Sequence, residues 1–461
     1  AMAYWGMALA LGPNINLPMS PENEPIAYEL IQKAVSLADR ISVKEKAYIE
    51  ALTVRYSGVI SSDRTKNDID YADAMREMHT TYPGDLDVAT LFAESLMNLR
   101  PWDYWTRDYK PYAETTEVMN LLESVISRSP RHPGALHLYI HVVEYARPEL
   151  AESSADMLRE LVPGAGHLVH MPSHIYYRVG RYNDAALANQ RAAEVDEAYI
   201  AACNAQGFYP ALYYPHNIHF LWSAATMQGQ SALSIESARR VVANVRVEQV
   251  QAFPTVEFFR TVPLLSLVRF GRWDDILQEP HPHEGFMFAK SVWHYARGVA
   301  YAAKGEGALA KGELDELVPL QEDVSVRFLD SRDYPGSLLV GIAIELLRGE
   351  IAYRSGSHLQ AITHFSAAVD QQDSLPYTEP PFWYYPTRQS LGAAMMASGD
   401  AQGAEAVFRR DLEFYPHNGW SMFGLMQSLR AQDKNDQADE VQVHFEKAWQ
   451  FADIELTAAV L

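Results

Sequence analysis

Apolar positions along the chain recur at helical spacing and are interrupted at short intervals by a glycine. Four stretches share one plan: "YRVGRYNDAALANQRAAEV" (177–195), "YAAKGEGALAKGELDEL" (301–317), "YRSGSHLQAITHFSAAV" (353–369) and "MMASGDAQGAEAVFRRDLEFYP" (395–416). In each, a helix ends near a Gly, a short turn follows, an Ala stands five residues after that Gly, and a second amphipathic helix begins. Glycine suits such a helix end because it enters the left-handed region without a Cβ clash. Strand-like alternation is scarce, so a β-rich reading of any region is hard to sustain. The pattern therefore predicts paired helices along most of the chain.

This plan resembles the tetratricopeptide repeat, a helix–turn–helix unit of about 34 residues. The best copy is 385–416, where Leu391, Gly392, Ala404, Phe408 and Pro416 fall on the consensus positions; weaker copies stand at 1–12, 71–83, 215–246 and 257–276. The resemblance implies an all-α fold, a right-handed α-solenoid of tetratricopeptide-like repeats. The physical reason is that one helix pair cannot bury its apolar face alone, whereas stacked neighbours share a continuous core. Insertions interrupt the array at 100–116, 197–214, 279–287 and 370–385. No low-complexity linker separates the repeats, so 1–461 reads as a single continuous solenoid. Its histidine-rich central repeats span about 132–246 and its C-terminal repeats about 257–461. The opening "AMAYWGMALALG" reads as the inside of a helix, without an initiator Met or a cap, so the N-terminal repeat is expected to be incomplete.

Composition narrows the function. Acidic residues number 59 against 38 basic ones, a formal charge of -21. Such a chain repels phosphate backbones, which argues against a nucleic-acid partner. No apolar run reaches the roughly 18 residues of a membrane-spanning helix. Cys203 is the single cysteine, which excludes an internal disulfide and any thiolate cluster; it reads as a small buried or incidental residue. Gly-rich phosphate loops, nucleophile elbows and haem-attachment motifs are absent.

Histidine carries the chemistry that remains. Seven of the 16 histidines lie between 137 and 219, where an even spread would place about three. They come as "HLYIH" (His137, His141), "HLVHMPSH" (His167, His170, His174) and "HNIH" (His216, His219). Spacings of three and four bring two imidazoles to one helix face, within reach of one ion. Counted from the turn glycines Gly180 and Gly229, the histidines of the last two groups occupy shared first-helix positions. His137 and His141 match them when one turn residue is deleted, with Glu144 on the same face. In the tetratricopeptide family these positions line the concave groove, so the resemblance implies that all seven face one groove. Pro172 complicates this. It disfavours helical geometry at Met171, so a helix starting at Pro172 leaves His167 and His170 on an irregular approach and His174 as the firmest assignment. Pro215, by contrast, is well placed in a first helical turn before His216.

Imidazoles suit copper, iron or zinc, and a ligand set without cysteine argues against structural zinc. Six or more imidazoles exceed what one tetrahedral ion needs; two three-histidine sets would resemble dinuclear copper centres that bind dioxygen. The preference is copper first, then iron or zinc, in a metal-dependent oxidoreductase. Glu144, Tyr177 and Arg178 are candidates to orient a ligand or substrate around the ion. Two alternatives remain open. One is a metal-free scaffold that holds a peptide or protein partner in the same groove; the other is a metal-free site in which histidine serves as general acid or base. His281 and His283 of "EPHPHEG" read as an exposed turn, and His417 as structural. The aromatic runs "RPWDYW" (100–105) and "PPFWYYPTRQSLG" (380–392) read as repeat packing or as walls of a pocket. Together with "GHLVHMPSHIYYRVGRY" and "YYPHNIHF", these motifs resemble a group of bacterial tetratricopeptide proteins of largely uncharacterised function. That resemblance implies a periplasmic or secreted setting.

Overall fold

The computed structural model describes residues 1–61, 63–205 and 209–461. Among them the regular structure is helical from Met2–Leu11 to Asn435–Ala448, and the β pairing consists of two isolated bridges, Asn14 with Leu17 and Trp105 with Pro111. Within each compact stretch most helices pack against their chain neighbours, and the chain is an all-α repeat solenoid. None of the described helices is long and apolar enough to cross a membrane.

The glycine turns carry the pairing. Gly180, Gly305, Gly356 and Gly399 have φ of 81°, 79°, 79° and 90°. The alanines five residues later, Ala185, Ala310, Ala361 and Ala404, are all fully buried. A small residue there lets the second helix lie close against the first; a larger one would force the pair apart, at about 1–3 kcal/mol for overpacking. The repeat at 385–416 shows the same fit from the other side, since a Cβ on Gly392 would run into the buried Phe408 ring.

The helices fall into two compact units, Ala1–Val162 and Pro163–Leu461. In the first, Thr65–Thr81, Leu86–Met97, Ala113–Arg128 and Pro133–Val143 pack in succession. The insertion at 100–116 folds onto the last of these, with Trp105 Nε1 donating to Val142 O at 2.6 Å. Asp85 caps Leu86–Met97 by accepting from the Asp87 and Val88 amides, which satisfies donors that the helix leaves orphaned.

The second unit holds a large apolar core built by Met287–Ala303, Gly336–Arg354 and their neighbours. It departs from a simple solenoid, in which each repeat touches only the next. Trp420 Nε1 donates to Thr226 O at 3.1 Å. The Asp453 carboxylate accepts from the Ser231 and Ala232 amides at 2.6 and 2.9 Å, capping the helix Ser231–Asn244. Within this unit the C-terminal repeats thus return onto the histidine-rich ones. Gly180 serves that return as well as its own turn, because a Cβ there would overlap the Pro416 carbonyl oxygen.

Candidate metal centre

His170 ends the short helix Gly166–His170 and His174 sits in Pro172–Arg178. Met171 between them has φ -49° and ψ -38°. A helix starts at Pro172 as expected, while His167 and His170 before it lie in a separate short helix rather than on irregular backbone. A proline in the first turn of a helix forfeits no intrahelical donor, and the fully buried Met171 is held in helical geometry by its packing. The four-residue spacing accordingly places His170 Nε2 2.8 Å from His174 Nε2. His216, in the helix Tyr214–Met227 with Pro215 in its first turn, brings its Nε2 to 3.2 Å from that of His170. The ligand atoms of all three lie within 4.8 Å of one another.

The surroundings fix which nitrogen of His170 is available. Asn189 Nδ2 donates to Ala185 O at 2.8 Å, which turns its Oδ1 toward the ring. His170 Nδ1 then donates to Asn189 Oδ1 at 2.6 Å, and its Nε2 keeps a lone pair directed at the other two imidazoles. Burial holds the His170 imidazolium well below the usual histidine range, and the neighbouring His174, His216 and His167 push the same way. The neutral ring is the form that coordinates a metal. Phe220 closes one side, stacked on His174 at 5.3 Å between centroids and edge-on to His170 at 5.2 Å. The spacing suits an ion: tetrahedral nitrogen ligands about 2.05 Å from zinc stand roughly 3.3 Å apart.

The remaining predicted residues are placed differently. His167 is half-buried, its ring 6.1 Å from that of His170 and edge-on to Tyr213 at 5.5 Å. His219 turns away from the three, stacking on Trp222 at 5.0 Å and meeting Phe258 and Phe259 edge-on. Burial lowers its pKa to about 3. Tyr177 is buried, and its oxygen accepts from Ser223 Oγ at 3.1 Å. Arg178 stands 3.9 Å from Glu379 and over the Tyr377 ring, so it ties the 370–385 insertion to the repeat. In the first unit, the buried His141 donates from Nδ1 to Glu144 Oε1 at 3.2 Å. The rings of His137 and Trp102 stand edge-on to His141 at 4.8 and 5.1 Å. A carboxylate on one imidazole nitrogen is the usual support for a metal-binding histidine, since it orients the ring and raises its basicity.

Sequence reasoning missed Asn189 and Phe220. Asn189 had a signal: it interrupts the alanine face that Ala185 and Ala192 define, and an amide placed on a buried face needs a partner. It also missed the buried Asp196, which accepts from Tyr209 at 2.6 Å and Asn217 at 2.7 Å, and whose pKa burial raises. A side chain on Gly166 would overlap that carboxylate. Cys203, expected to be buried or incidental, is exposed at the end of Tyr182–Cys203.

No family model matches this chain, and no curated protein matches it. Among solved structures it is similar to a human IFIT1 dimer with m7Gppp-AAAA, at 11% identity over 94% of this chain and 87% of that one, TM-score 0.34. It is also similar to Cut9 in the APC/C hetero-tetramer Cut9–Hcn1, at 11% identity over 94% and 98%, TM-score 0.31. Yeast Tom70 aligns at 11% identity over 92% and 93%, TM-score 0.31. Superpositions this loose leave the fold assignment resting on the helix pairing itself.

Proposed function

We propose that His170, His174 and His216 bind one transition-metal ion through their Nε2 atoms, and that the protein is a metal-dependent oxidoreductase built on a repeat solenoid. The observation that carries this reading is the convergence of three imidazole nitrogens in a buried pocket, with the opposite nitrogen of His170 committed to Asn189. Neutral imidazoles without thiolate suit copper, iron and zinc, and the stability order of divalent ions puts copper first. Three protein ligands leave a coordination position for substrate or water, as catalytic sites do. Such an ion supplies Lewis acidity or one-electron chemistry. The three histidines would hold it, with Asn189 fixing the ring of His170 and Phe220 packed on that of His174. His141 with Glu144, and His137 beside them, form a second set of candidate ligands. The motif resemblance favours a periplasmic or secreted setting.

A peptide-binding scaffold is the competing reading, and the repeat fold suits it. Burial favours the ion: His170 and His174 are 0% and 3% exposed, out of reach of a docked chain. Elemental analysis of the untagged full chain tests the proposal. Stoichiometric copper, iron or zinc is expected, lost in His174→Ala with the helical circular dichroism unchanged. Wild-type protein that stays metal-free after incubation with each ion would overturn it.

A further inference from the structure

Beside the three histidines the second unit contains a cavity of about 130 Å³. Its wall is aromatic: Trp222, Phe258, Phe288, Tyr334, Phe382 and Trp383. The first four come from the repeat helices and their connections, whereas Phe382 and Trp383 belong to the insertion at 370–385. The ring stacking is tight: Phe258 lies on Tyr334 at 5.2 Å, and Phe382 meets Tyr334 edge-on at 5.4 Å. The volume is close to the roughly 150 Å³ of an apolar protein cavity that takes up benzene.

Charge selects its guest. Among the described residues no lysine or arginine lines the cavity, and the buried Glu379 at its wall stands 3.9 Å from Arg178, so an anion would be desolvated there without a cation facing it. His216 belongs both to this wall and to the histidine triad, so a guest here sits next to the candidate ion.

We propose that this cavity binds a neutral, single-ring aromatic molecule, and that this is the substrate class of the neighbouring centre. Occupancy of the cavity stands on the cavity alone, while its role as substrate site rests on the metal reading.

Phenol is the probe, titrated into the full chain stripped of metal and followed by calorimetry and saturation-transfer NMR. Saturable binding at one site is expected, with benzoate at least tenfold weaker. Val292→Trp, which fills the cavity, should abolish phenol binding. His174→Ala, outside the wall, should still bind phenol, so failure of the metal reading leaves this result standing. Phenol that does not saturate on wild-type protein overturns the proposal, as does benzoate binding as tightly as phenol.

Discussion

At the scale of single residues the centre is a matter of nitrogen accounting. Each imidazole has two ring nitrogens, and His170 spends one on Asn189 and aims the other at His174 and His216. Replacing Asn189 by Ala frees the ring to rotate and lowers its basicity; metal affinity should fall about 10–100-fold. Competition with a chromophoric chelator measures this, and an unchanged affinity would show that Asn189 does not orient the ligand. His219→Ala, by contrast, should leave metal stoichiometry intact, because its ring lies against Trp222 and two phenylalanines. Retained stoichiometry in elemental analysis checks it; loss of the ion would return His219 to the ligand set. The three histidine groups were plain in the sequence. Which histidines share an atom-to-atom focus was not, since helical spacing defines a face of a helix and leaves the partner across it open.

At the scale of elements, the turn glycines and the alanines that follow them were legible because each answers a local demand. A left-handed φ favours Gly, and a close helix crossing requires a small side chain. Gly180 answers two demands, with φ of 81° and the Pro416 carbonyl against its open side. Gly180→Ala should therefore destabilise the protein by more than the ~1 kcal/mol of the dihedral alone, and more than Gly399→Ala, which has φ of 90° and open space around it. Urea midpoints of the two variants measure the difference; equal midpoints would mean that the contact at Pro416 contributes nothing. Pro172 starts its helix as the sequence predicts; what the sequence missed is the short helix before it. The bias against helical dihedrals at Met171 is a local preference of modest size, and burial of Met171 together with its neighbours outweighs it.

At the scale of the whole molecule, buried carboxyl groups tie stability to pH. Glu257 accepts the Ala289 amide at 2.8 Å in the first turn of Met287–Ala303, and burial pushes its pKa up to about 7. Its folded value lies above the ordinary carboxyl value of about 4.5, so between those pH values the native state holds a proton that the unfolded chain has lost. Stability falls as pH rises across that window, by on the order of 3 kcal/mol, and levels off above pH 7. Glu257→Gln should flatten this decline. Denaturant midpoints at pH 5 and pH 8 test it, and a decline unchanged in the variant would move the cause elsewhere. Asp411, buried beside Ser421 and raised to about 6, acts in the same direction at lower pH.

The sequence by itself determined the all-α repeat plan, the turn glycines, the small residues at the crossings and the concentration of histidine, because each is set by local dihedral sterics, periodicity or composition. The tertiary structure decided what depends on residues far apart in the chain. It set the return of the C-terminal repeats onto Gly180 and Thr226, the pairing of His170 with His216 and with Asn189, and the joint cavity of Trp222 with Trp383. Helical spacing carries no information on those contacts, since it fixes which side chains share a face and leaves the opposing face to be chosen by packing.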